Sequence, residues 1–190
     1  MKVTLMLSIV IVIVLLLTTA GYLLLKDNMN VKQQIKEGTT SNTTKSVDFS
    51  TTNSEFLFSA EIPNSFQVEY LPNVRAINIY NPNATGASNL DKSQLYLSFF
   101  KANTFLTLST VTITRRDATT LNGHSAVLYE ITKKEQVPAF AGQPSWRNST
   151  HLALDVRATS NNPAYFYSFA YHPLLPERTF NNIVNSIDFY

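Results

Sequence analysis

Apolar and polar positions divide this 190-residue chain into three regimes. Val3 to Leu25 form an uncharged, predominantly apolar run of 23 residues, with Lys2 before it and Lys26 and Asp27 after it. As a helix such a run extends about 35 Å, enough to cross a hydrocarbon core of about 30 Å. It predicts a transmembrane signal anchor over 1–25, in contact with the lipid bilayer through residues 3–25. A cleaved signal peptide is the alternative: Thr18, Thr19 and Ala20 offer a small-residue site, and cleavage near Ala20 would yield a secreted protein. Signal peptides carry an apolar core of only about 7–15 residues, however, and cleavage would strand Tyr22 to Leu25 on the new N-terminus. Lys2 on one side and Lys26, Lys32 and Lys36 on the other leave orientation open to the positive-inside rule. The short basic lead before the run resembles a secretory signal, so the expected arrangement is single-pass in the cell membrane with an extracytoplasmic C-terminal domain.

From Lys26 to Asn53 the chain turns polar and rich in Thr, Ser, Asn and Lys. Such a segment buries too little apolar surface to offset its ordering entropy, and residues 26–53 are expected to form a flexible stalk. Residues 54–190 then form one globular domain. Period-2 alternation marks strands at Phe56–Ile62, Phe66–Tyr70 and Val74–Tyr80, with turns at Pro63–Asn64 and Pro72–Asn73. Residues 81–93 form a turn-rich loop, and Leu95–Phe100 is a strand covered on both faces. Asn103 as a cap predicts a short helix over 103–109, with Val111–Arg115 ending that connection. Leu121, Asn122 and Gly123 form a turn, Ser125–Thr132 is a central strand, and residues 135–150 form a long polar loop with two prolines. His151–Arg157 alternates cleanly, and Tyr165–Tyr171 is apolar on both faces. Phe180, Ile183, Val184 and Ile187, after Pro176 and Glu177, predict an amphipathic C-terminal helix. The expected fold class is α+β, a twisted and mainly antiparallel sheet of about seven strands with helical or loop cover on each side.

Charge and cysteine content narrow the function classes. Beyond the apolar run, 14 of the 15 Lys and Arg remain against all 13 Asp and Glu, a net of +1 with neutral histidines. That is no nucleic-acid footprint, which would cluster basic residues on one stripe. The absence of cysteine excludes disulfides, thiolate metal sites, a cysteine nucleophile and a lipid-modified cysteine.

The Phe-rich strand ending in Ile62 and Pro63, the LNGHSAV turn and strand at 121–127 and the closing FNNIVNSIDF at 180–189 resemble the PsbP-like fold, the α/β/α sandwich of the extrinsic photosystem II proteins and of bacterial surface proteins. The resemblance spans most of 54–190. It implies a binding or assembly role rather than an enzyme. The plant proteins' part in water oxidation is not implied, because no residue here matches a metal or photosystem contact.

Candidate chemistry is sparse. Period-2 geometry puts His151, Asp155 and Arg157 on one face of a strand, and Ser125, His151 and Asp155 are the residue types of a hydrolytic triad. GHSAV lacks the second glycine and the strand-to-helix context of a nucleophile elbow, so a surface or secreted serine-type hydrolase is only the alternative reading. The plainer reading is an exposed Asp155–Arg157 ion pair beside a solvated histidine. A metal site would need His124, His151 and His172 to converge without ligand spacing, and neither a metal nor a cofactor is expected. Trp146 and Arg147, in the loop AFAGQPSWRN, are types enriched in interface hot spots and are the candidate binding residues; the competing reading folds Trp146 back over one end of the sheet. The basic pairs Arg115–Arg116 and Lys133–Lys134 read as solvated strand ends or as contacts to anionic headgroups. Asn42, Asn83 and Asn148 begin Asn-x-Ser/Thr triplets. The leading expectation is a membrane-anchored, non-catalytic extracytoplasmic domain that binds a protein partner or assembles a surface complex, with no nucleic-acid role.

Overall fold

The computed structural model describes residues 43–105 and 109–190. The expected transmembrane anchor, the stalk as far as residue 42 and three residues of the expected helix at 103–109 lie outside the described residues. Among the described residues no helix is long and apolar enough to cross a membrane. Residues 43–190 form one unit. Its elements are β1 (Thr44–Asp48), a 3₁₀ turn (Phe49–Thr51), β2 (Phe58–Pro63), β3 (Gln67–Leu71), β4 (Ala76–Tyr80), β5 (Ser93–Ala102), β6 (Val111–Leu121), β7 (His124–Lys133), a second 3₁₀ turn (Ser145–Asn148), β8 (His151–Arg157), β9 (Ala164–Tyr171), α1 (Glu177–Asn185) and β10 (Asp188–Phe189).

The strands form two fully antiparallel sheets, one of seven strands in the order β3-β4-β5-β9-β8-β7-β6 and one of three in the order β1-β2-β10. Two meanders, β3 to β5 and β6 to β9, are joined by β5 pairing with β9 from Leu95–Tyr171 to Ala102–Ala164. Side chains alternate across each strand, so the large sheet has two distinct faces. On the inner face Ile77, Ile79, Leu95, Leu97, Leu154, Val156, Tyr167 and Phe169 meet Phe56, Phe58, Ala60 and Ile62 around β2 and Phe180, Ile183 and Val184 of α1. The opposite face gathers Ala76, Tyr96, Val127, Tyr129, Ile131, Ala153 and Ala170 beneath Trp146.

Neither the expected α+β class nor the α/β/α sandwich implied by the resemblance is the fold that forms: among the described residues the protein is mostly β, two antiparallel sheets with a single α-helix. One helix and a second sheet cover the inner face, and the other face is covered by irregular chain. The reasons are local. Pro138, Gly142 and Pro144 deny residues 135–150 a continuous helix, and the described part of 103–110 is bends and turn. The polar segment expected as stalk is folded from Thr44 onward: β1 pairs Lys45 with Ile62 and Val47 with Ala60, so backbone hydrogen bonding recruits residues whose side chains remain largely outside. Val111–Arg115, expected to end a connection, instead begins an 11-residue strand. The C-terminal helix forms with Phe180, Ile183 and Val184 buried as the periodicity predicts, but it ends at Asn185, so Ile187 is buried from the link to β10 rather than from the helix.

Phe58 holds the two sheets together, its ring packing 4.9 Å from Phe49, 5.0 Å from Tyr167, 5.6 Å from Phe169 and 5.9 Å from Phe189. Truncating a fully buried Phe costs about 3–5 kcal/mol through lost transfer energy and the cavity left behind. Phe58→Ala is therefore expected to lower unfolding stability by that amount in urea titration, and a loss under about 1 kcal/mol would show that the sheets are not coupled through this ring.

Candidate functional site

Strand register assembles the residues singled out from the sequence. On the loop-covered face the cross-strand rows run Tyr96–Ala170–Ala153–Tyr129 and Ser98–Ser168–Asp155–Val127, with His151 beside Ile131. His151 and Asp155 are each only 3% exposed, so the expected exposed ion pair beside a solvated histidine does not form. The cause is the loop of residues 134–150, which lies over this face. Asn148 ties the loop to itself, accepting from the Phe140 amide at 3.0 Å and donating to the Ser145 carbonyl at 3.0 Å. Lys133 Nζ donates to the Val137 carbonyl at 2.6 Å. Gly142, at φ +70, passes so close to Val74 that an added Cβ would lie 3.1 Å from it.

Trp146 is turned inward, its ring edge-on to His151 at 5.4 Å and to His172 at 5.7 Å. Arg147 lies over the Tyr96 ring at 5.1 Å and donates through Nε to Gln143 at 3.2 Å. Both candidate binding residues thus seal the sheet, and a partner would reach the indole only if the loop lifted. The Asn148 amide is occupied by the loop's own hydrogen bonds, Asn83 is exposed in the loop after β4, and Asn42 lies outside the described residues.

Burial sets the electrostatics here. It pushes the Asp155 carboxyl up to about 6, against a hydrogen bond from Ser168 and the nearby Arg147, which favour the charged form. Burial also pushes His151 down to about 4, with Arg147 adding to the effect and the Ser149 carbonyl opposing it. The imidazole donates through Nδ1 to that carbonyl at 2.7 Å, so His151 is neutral with Nε2 as an acceptor. Nε2, the Tyr129 hydroxyl and the Trp146 indole N–H are buried without a protein hydrogen-bond partner.

The triad residues share a face but do not meet. Continuing the β7–β8 register sets Ser125 level with Arg157, six residues from His151, a separation of about 20 Å along the strand. Asp155 is four residues from His151, about 13 Å. A serine relay needs hydrogen bonds of about 3 Å, so no triad is assembled. His124 sits at the other end of the sheet, with Nδ1 at 3.2 Å from the Arg157 carbonyl, while His172 and His151 each pack against the Trp146 ring. Among the described residues no group of three His, Cys, Asp or Glu is placed to hold a metal.

The feature that sequence reasoning missed is the outer edge of β6. Val111–Leu121 pairs with β7 on one side and, among the described residues, has no strand on the other. Nearly all of it between Thr112 and Thr120 is exposed. The signal was in the hairpin: Asn122 and Gly123, at φ +49 and +83, form the two-residue turn that pairs equal strands, so a strand at 124–133 requires one before residue 122. Leu121 and His124 flank that turn as a hydrogen-bonded pair, and alternation then directs the backbone N–H and C=O of Thr120, Ala118 and Arg116 outward. Beside this edge a cleft of about 300 Å³ opens between β6 and α1. Leu121, Leu128, Leu154, Phe180 and Val184 form its apolar wall, with Arg115, Asp117, Thr119, Asn181 and Asn185 at its polar rim.

No family model and no curated protein matches the chain. A solved structure from Bacteroides thetaiotaomicron aligns with 72% of this chain and 46% of its own length, at 9% identity and a TM-score of 0.29. The chain therefore spans under half of that protein, and the likeness carries no argument. These comparisons lend the PsbP-like resemblance no support.

The two buried titratable groups oppose each other in pH dependence. Between pH 3.8 and about 6 the folded state keeps an Asp155 proton that the unfolded chain loses, so this contribution falls as pH rises. Between about 4 and 6.5 the unfolded chain takes up a His151 proton that the folded state refuses, so that contribution falls as pH drops. Asp155→Asn is expected to expose the histidine slope, with stability rising by about 1 kcal/mol per pH unit from pH 4 to 6. His151→Gln should give the opposite slope. Urea midpoints across that range check both, and an Asp155→Asn profile as flat as the parent's would show that His151 is not held neutral by the fold.

Proposed function

We propose that this chain is a non-catalytic binding domain, anchored in the cell membrane by residues 3–25 with its C-terminal domain outside the cytoplasm, and that it holds a protein partner or helps assemble a surface complex. The observation that carries this reading is the open edge of β6 beside the α1 cleft. Long exposed edges are ready templates for another chain, and proteins commonly cover them, shorten them or interrupt them with charge. Here an 11-residue strand stands at the edge, and among the described residues a bulge at Ile113/Arg115 and the charged run Arg115–Asp117 are its only such devices. The serine-type constellation read from the sequence, Ser125, His151 and Asp155, is spread over about 20 Å and cannot act as a triad.

A photo-crosslinking residue at Thr119, exposed on β6, tests this in intact membranes. The expected result is a discrete adduct with one protein, absent when the same residue is placed at Asn83 on a distant loop. Adducts that do not differ between the two positions would overturn the assignment. External protease on intact cells without an outer barrier is expected to digest residues 54–190, and protection there would overturn the extracytoplasmic orientation.

A further inference from the structure

We infer that the cavity of about 340 Å³ between the start of β8, the end of β9 and the first turn of α1 binds a primary alkylammonium group, with its nitrogen among the Tyr171 hydroxyl and the Glu130 and Glu177 carboxylates and its apolar stem on Leu152, Pro173 and Leu175. The volume lies in the range of small-molecule sites, about 300–1,000 Å³. This site shares no lining residue with the β6 cleft and stands whether or not that edge takes a partner.

Strand register lays out the site. Tyr171, Leu152 and Glu130 form one cross-strand row on the inner face, so the phenol and the carboxyl start two strand spacings apart, about 10 Å, with Leu152 as the floor between them. Glu177 enters from the first turn of α1. Tyr171 is only 6% exposed and its ring stacks on Phe180 at 3.9 Å, yet among the described residues its hydroxyl has no hydrogen-bond partner. Burial, and after it the Glu177 carboxylate, holds this phenol above its ordinary range, so the hydroxyl is neutral and lies in the field of Glu177, which lines the same cavity. It can donate to a carboxylate and accept from a bound cation.

The charges facing the cavity favour a cation. Glu130 accepts from Thr114 Oγ1 at 2.7 Å through Oε1, and among the described residues neither it nor Glu177 forms an ion pair. Arg115 lies across from Glu130, but its Nε is held by Asp117 at 2.5 Å. Arg116 is on the other face, over Tyr129 at 5.9 Å, and Arg178 is exposed and outside the lining. His151, which also borders the cavity, is neutral. The N-terminus of α1 adds about half a positive charge, against two carboxylates. Among the described residues no three carboxylates or imidazoles are placed to hold a metal, whereas an ammonium brings three N–H donors to one phenol oxygen and two carboxylates.

Calorimetric titration of the full chain in lipid nanodiscs with n-pentylamine, against empty nanodiscs, provides the test. Saturable binding is expected, with none for n-pentanol, which lacks the charge, or for pentanoate, which reverses it. Affinity is expected to fall at least about tenfold, or about 1.4 kcal/mol, in each of two variants. Glu177→Gln changes an exposed side chain and leaves the core intact, and Tyr171→Phe removes the hydroxyl while keeping the ring against Phe180. No saturable binding of n-pentylamine, binding of n-pentanol or pentanoate as tight as that of the amine, or unchanged affinity in Glu177→Gln would overturn the inference. Nα-acetyl-lysine methylamide separates the two sources of such a group. Binding at least as tight as that of n-pentylamine supports a lysine side chain of a polypeptide as the occupant, and weaker binding supports a free amine.

Discussion

The seam between β2 and β9 is the constraint on which the rest of this fold depends. Tyr167 occupies its centre, stacked on Phe56 at 5.9 Å and edge-on to Phe58 at 5.0 Å. Its buried hydroxyl donates to the Glu55 carbonyl at 2.8 Å and accepts from the Leu57 amide at 3.0 Å. One side chain thereby satisfies two backbone groups of a segment with no ladder of its own, and it fixes where β2 enters. A buried amide or carbonyl left without a partner costs about 1–3 kcal/mol, so the hydroxyl selects one seating of the small sheet among many that would be equally apolar.

From that seating the distribution of roles across the molecule follows. The inner face is filled by aromatic packing, and the one hydroxyl at its centre, that of Tyr167, is spent on backbone groups. The buried carboxyl and imidazole lie on the other face, where a loop rather than a sheet does the covering. The small side chains of Ala153, Ser168 and Ala170 leave room there for Trp146 and Arg147, and the dry surroundings raise the Asp155 carboxyl and keep the His151 ring neutral. Residues that look reactive in the sequence are thus used to close the protein. The accessible chemistry lies at the edge, on backbone groups that no residue type announces.

Much of the strand layout was legible because alternation is strict wherever one face is wet. His151–Arg157 is a strand with the predicted bounds, and Phe180, Ile183, Val184 and Ile187 all turn inward. Legibility ended where pairing, not patterning, decides structure. Thr44–Asp48 has little apolar content and is a strand because β2 offers it a partner. Thr112 to Arg116 are exposed on both faces, so no alternation distinguishes them from a loop. For the site, the sequence placed His151, Asp155 and Arg157 on one face but could not show the loop above them, and burial is what changes their chemistry. Covering of the second face by irregular chain was likewise hidden, since Pro138 and Pro144 exclude a helix without saying what lies beneath the loop.

The pairing of β5 with β9 also governs the order in which the chain can acquire structure. Ala102 and Ala164 are partners across 62 residues, and β2 finds β10 only at Asp188 and Phe189. Contacts of such sequence separation carry the loop-closure entropy that slows folding. The first meander, β3 to β5, can form early from local turns, but its inner strand keeps an open side until residues 164–171 arrive. During synthesis the incomplete domain therefore presents Tyr96, Leu97 and Phe99 on an unpaired strand, and this interval, rather than the finished fold, is where the protein is most exposed to misassociation.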